Sequence, residues 1–116
     1  MKIILDTNFL VDCAKFHIDY QEELKEHNLF VLNKTLDELE KLINQKKAKY
    51  AKPALEILQE KGIKILKTRK KGSVDDILTQ LKGYAIATAD KKLKNKIKNK
   101  KIFTIRQKKY IKCFTN

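Results

Sequence analysis

Glycine and proline are scarce in this sequence, three and one among 116 residues, and neither gathers with serine. A flexible linker therefore has nowhere to form, no internal repeat is visible, and a single domain over 1–116 is expected. Only two cysteines occur, Cys13 and Cys113. They lie far apart and match neither a zinc spacing nor a disulfide framework, so reduced, packed thiols are expected. Long apolar runs are missing, which excludes a membrane-spanning helix. The opening MKIILDTNFLVD has no signal-peptide core, and a cytoplasmic protein is expected. Acids are missing from one whole region: residues 91–116 hold eleven basic side chains and none of the opposite sign.

Hydrophobic residues make up 42% of the chain, enough to build a core. The net charge is +13, yet residues 1–90 hold sixteen basic residues against all fourteen acids. A nearly neutral body with a cationic end points to a polyanionic partner, nucleic acid above all. Solubility alone is the plain alternative.

Apolar spacing divides the chain into alternating strands and helices. A buried strand over 2–5 ends at Asp6. Helical spacing follows over 7–16, with Phe9, Leu10, Cys13 and Phe16 on one face, and again over 19–27. A strand at 29–32 leads to Thr35 and Glu38, whose spacing reads as a capping box opening a helix over 35–45. A helix over 48–61 should stop at Gly62, before a strand at 63–66 and a basic loop at 67–72. Ser73 should cap a helix to residue 82, stopped by Gly83. A strand at 84–88, a helix capped by Asp90 and reaching residue 98, and a strand at 102–105 complete the alternation. The apolar patch 110–114 either pairs on a sheet edge or packs back. This order implies an α/β fold with a mainly parallel sheet.

In open parallel sheets ligands bind beyond the carboxyl ends of the strands. Asp6 and Asp90 each follow a strand and precede a helix, so both should project there. Glu38, Asp75 and Asp76 lie in the first turns of helices that begin at the same end. Each acid has a plain alternative: Asp6 and Asp90 as N-caps, Glu38 as half of a capping box, Asp75 and Asp76 as complements to a helix dipole. Their convergence is harder to explain by capping, because clustered carboxylates repel and raise one another's pKa. A divalent cation removes that cost. The donors are all oxygen, with His17 and His27 expected elsewhere on the surface, which suits Mg²⁺ or Mn²⁺ rather than zinc. Beside a basic surface, such a cluster points to phosphodiester hydrolysis.

ILDTN at 4–8, ELEKL at 38–42, SVDDIL at 73–78 and ATAD at 87–90 resemble, in order, the four acidic motifs of PIN domains. The resemblance covers nearly the whole chain. It implies a three-layer α/β/α sandwich around a parallel five-stranded sheet, single-strand-specific endoribonuclease activity and frequent homodimers. It also implies that Asp6, Glu38, Asp75 and Asp90 are the catalytic metal ligands, with Asn8 and Thr88 supporting them. Leu78, three positions after Asp75, favours that aspartate as the third-motif acid, and Asp76 is its rival.

ELEKL, DDIL and ATADKKLKNKIK look most like the archaeal and eukaryotic branch that processes precursor ribosomal RNA of the small subunit. The VapC-type toxins, held by an antitoxin, usually continue the third motif with small residues, from which DDILTQL departs. A non-catalytic RNA-binding or assembly module is a third reading, against which the complete acid set argues. For any RNA partner, Lys91, Lys92, Lys94, Lys98, Lys101 and Lys108 are the expected backbone contacts.

Overall fold

The computed structural model describes residues 1–69, 71–98 and 100–115; Lys70, in the expected loop 67–72, lies outside them. Six strands, β1 (Lys2–Leu5), β2 (Asn28–Leu32), β3 (Lys64–Leu66), β4 (Ala85–Ala87), β5 (Lys101–Arg106) and β6 (Tyr110–Thr115), form one sheet in the order β3-β2-β1-β4-β5-β6. The first five are parallel. The sixth runs antiparallel to β5, from Lys101 opposite Thr115 to Arg106 opposite Tyr110. The expected five-stranded sheet thus gains an edge strand from the patch whose placement was open. Only Ile111 on one face and Phe114 on the other are half-covered, and the remaining positions are exposed, which fits an edge rather than a core strand. Cys113 is accordingly exposed, whereas Cys13 is packed as expected.

Side chains alternate across the sheet, so the strands feed two cores. Ile3, Leu5, Val31, Ala87 and Phe103 meet α1 (Thr7–Phe16), α2 (Tyr20–Glu23), α3 (Asn33–Asn44) and α4 (Ala51–Lys61). Ile4, Leu32, Ile86 and Ile102 meet α5 (Val74–Gln80) and α6 (Lys91–Lys96). These are the three layers of an α/β/α sandwich. No helix of the described residues is long and apolar enough to cross a membrane.

Several element boundaries differ from expectation. The segment 19–27 holds only one helical turn, capped by Asp19. Helix α4 starts at Ala51, with Pro53 in its first turn, where no amide donor is needed, and ends at Gly62 in left-handed conformation (φ 61°). Helix α3 starts at Asn33, two residues early, with Leu32 at its N-cap position and no side-chain cap. Thr35 is therefore inside the helix and fully buried, and the expected Thr35–Glu38 capping box does not form. The capping box lies instead at α5, where Ser73 Oγ accepts from the Asp76 amide and Asp76 accepts from the Ser73 amide.

Candidate functional site

Strand β1 lies between β2 and β4: the chain builds outward on one side through β2 and β3, then crosses to the other side for β4 and β5. The carboxyl ends of β1 and β4 flank this reversal, where open α/β sheets leave a crevice. Asp6 follows β1, and Thr88 and Asp90 follow β4. The strand register Leu5 to Ala87 brings them together, and the Asp6 amide donates to the Ala87 carbonyl at 2.9 Å.

Asp6 is 3% exposed and occupies the N-cap position of α1, yet its side chain caps nothing. Its Oδ2 accepts from the Thr88 hydroxyl at 2.8 Å. The same hydroxyl accepts from the Asp90 amide at 3.1 Å. Thr88 is itself fully buried, so one side chain ties the ends of two central strands together. Asp90 does cap α6, one oxygen accepting from the Lys92 amide at 2.9 Å. Capping thus uses half of that carboxylate and leaves the other oxygen available.

Burial pushes the Asp6 carboxyl up to about 6, against the opposing pull of Thr88 and the Thr7 amide, and Asp75 and Glu38 raise it further. Glu38, at the rim of the crevice in α3, is raised by desolvation and by Asp75, with Thr7 and Lys41 opposing. Asp75, in the first turn of α5, is raised by desolvation, then by Asp90 and Asp76, with Lys96 opposing. Asp6, Glu38, Asp75 and Asp90 therefore form one electrostatic cluster, drawn from four different segments. Among the described residues no three such side chains close tightly enough to enclose an ion as they stand.

Asp76 is engaged at the start of α5. Its carboxylate is engaged by the Ser73 amide, and a Cβ on Gly72 would come within 3.2 Å of its Oδ2. Between α3 and the start of α5, a cleft of about 530 Å³ is lined by Glu38, Asp75, Lys34, Asp37 and Ser73. A neighbouring hollow brings Asn8 and Thr7 to Glu38. Asn8 is exposed there. The Thr7 hydroxyl, which sequence reasoning passed over, is buried without a hydrogen-bond partner of ordinary geometry, though it lies near enough to Glu38 to favour its charged form. An oxygen-only donor set and a desolvated carboxylate together suit a hard divalent cation.

The six expected phosphate-binding lysines divide. Lys91, Lys92 and Lys94 lie on α6 directly after Asp90, and Lys108 lies in the β5–β6 turn, at the carboxyl end of β5. Lys98 lies beyond α6, and Lys101 opens β5 at the opposite end of the parallel strands. His17 is exposed, but His27 is half-buried, with its ring against Phe103 at a centroid distance of 5.5 Å. Among the described residues neither imidazole forms a metal-holding group with the acids.

The family described as PIN like domain matches residues 3–109. No curated protein matches the sequence. Among solved structures, the chain is similar to the PIN domain endonuclease Utp24, with TM-score 0.81 and 27% identity over 99% of this chain and 92% of that one. A domain of a functionally unknown protein from Methanocaldococcus jannaschii DSM 2661 aligns over 81% of each chain with TM-score 0.49 and 18% identity.

Proposed function

Because the chain belongs to the PIN-like domain family, we propose that it is a metal-dependent endoribonuclease that cleaves single-stranded RNA, with precursor ribosomal RNA as its substrate class. The observation that carries this reading is the cluster of Asp6, Glu38, Asp75 and Asp90 at the strand reversal, with Asp6 raised to about 6. Carboxylates gathered at such cost suit a cation that offsets their repulsion. The likeness to an endonuclease supports hydrolysis of a phosphodiester, and the ATADKKLKNKIK segment supports the ribosomal branch.

In this mechanism the four acids would hold Mg²⁺ or Mn²⁺, which when bound would supply an activated water and neutralise charge on the leaving oxygen. Thr88 fixes the orientation of Asp6, and its bond to the Asp90 amide sets the spacing of the two acids. Asp75 is the third-motif acid, and Asp76 holds the start of α5. Asn8, at the exposed mouth, orients substrate or water through its amide. Lys91, Lys92, Lys94 and Lys108 hold the backbone of the strand as it leaves the acids.

The test is cleavage of end-labelled single-stranded RNA by protein free of contaminating nuclease. Internal cuts are expected with Mg²⁺ or Mn²⁺, weak activity with Zn²⁺ and none in excess EDTA. Cleavage that persists in EDTA defeats the metal reading.

A further inference from the structure

Next to the carboxylates a separate hollow of about 400 Å³ opens between α1, the start of α6 and the β5–β6 turn. Ala89 lines it, which places it one residue from Asp90. On the α1 side stand Asp12 and Phe16, four residues apart and therefore on one helix face. The other walls are cationic: Lys91 and Lys94 from α6, Arg106 from the end of β5, and Lys108 from the turn. Lys108 and Lys15 both lie over the Phe16 ring, 5.8 and 5.5 Å from its centroid.

Two features mark this hollow as more than a solvated charged face. The cations crowd one another: Lys91, Lys94, Arg106 and Lys108, from α6, the end of β5 and the turn, line the same hollow. Asp12, among them, makes no hydrogen bond or ion pair with any described residue. Its carboxyl is raised by burial and eased by Lys15. An aromatic face, a set of cations and a carboxylate with acceptors to spare are the three groups that bind a nucleotide's base, phosphate and amino edge.

We propose that this hollow is a nucleotide subsite that takes one residue of the single strand beside the cleaved bond. Its base takes the place of the Lys108 ammonium over Phe16, its phosphate lies on Lys91, Arg106 and the displaced Lys108, and the base's donor edge faces Asp12. Guanine fits best, since its N1–H and N2–H present two adjacent donors to the two carboxylate oxygens. The proposal rests on the nuclease reading and adds which part of the substrate is read.

Binding in EDTA tests it without hydrolysis. Fluorescent uridine dodecamers carry one guanosine at successive positions, and a matched set carries inosine, which lacks the 2-amino group. The full chain should bind the guanosine oligomer at least about fivefold more tightly at one position. Asp12→Asn should erase that preference while keeping the melting temperature. Phe16→Leu should weaken binding of every oligomer by about fivefold or more, and Phe16→Tyr should restore it. Replacing Lys91, Arg106 and Lys108 with Gln should weaken all binding and flatten the salt slope by roughly 0.7 per lost phosphate contact. Equal affinity for guanosine and inosine at every position overturns the proposal, as does a preference that survives Asp12→Asn. Base-dependent binding erased by these variants, in a protein that cuts nothing with Mg²⁺ or Mn²⁺, upholds the subsite and defeats the nuclease reading instead.

Discussion

Asp6→Asn separates the cost of gathering the acids from their use. The native Asp6 carboxyl titrates near 6, above its ordinary 3.8. That rise corresponds to about 3 kcal/mol. The native state keeps this proton to higher pH than the unfolded chain does. The stability it contributes is therefore complete below 3.8 and is lost as pH rises through about 6. Asparagine keeps an acceptor for the Thr88 hydroxyl but buries an amide, which costs roughly 1–3 kcal/mol. In EDTA the variant should therefore equal or exceed the wild type above pH 7, by a few degrees at roughly 4 °C per kcal/mol. Below pH 4 it should be the less stable of the two. Urea or thermal melts from pH 4 to 8 read this directly, as a difference that changes by about 3 kcal/mol across the window. Saturating Mg²⁺ should raise the wild-type melting temperature much more than the variant's, and the variant's RNA cleavage should fall by orders of magnitude. A wild-type-minus-variant difference that stays flat from pH 4 to 8 would refute the buried-charge argument, and unchanged turnover would refute the ligand role.

Asp75→Asn should abolish cleavage with stability held or slightly raised, whereas Asp76→Ala should lose about 1 kcal/mol from the broken capping box and keep most of its activity; melting and single-turnover cleavage on the same preparations compare them. Thr88→Val removes the hydroxyl between Asp6 and the Asp90 amide, so it should destabilise the fold by roughly 1–3 kcal/mol and push the Asp6 titration upward, seen by carboxyl NMR. Cleavage at sub-saturating Mg²⁺ should rise as pH increases through about 6, because cation binding requires the ionised carboxylate that burial opposes; a rate that falls across that interval contradicts it.

The order of strands and helices was legible because apolar periodicity and the strand-carboxyl rule are local or nearly so. Asp6 and Asp90 needed only the residues around them, and register then brought Thr88 to Asp6 across 82 positions of sequence. The false capping box shows the limit. Thr35 and Glu38 have the right spacing, but tertiary packing starts the helix at Asn33 and buries Thr35 against the core. The true box, Ser73 with Asp76, uses an aspartate where the familiar pattern has glutamate or glutamine. It also engages Asp76 in capping, in keeping with the Leu78 spacing that favoured Asp75 in the sequence. The lysines divided for a similar reason: a basic run looks continuous in sequence, but parallel strands carry Lys101 and Lys108 to opposite ends. Asp12 and Phe16 were hidden as neighbours of the basic run because that neighbourhood exists only once the β5–β6 turn folds toward α1.

The Thr88 hydroxyl also fixes a polarity. An amide can only donate, so the bond from Asp90 takes one of the oxygen's lone pairs and leaves its single hydrogen for Asp6. Oδ2 of the ionised Asp6 is thereby held as an acceptor, whereas Oδ1 receives nothing from Thr88. The two oxygens of one carboxylate are chemically distinct before any ligand arrives: one is anchored to the far strand through Thr88, and the other is not.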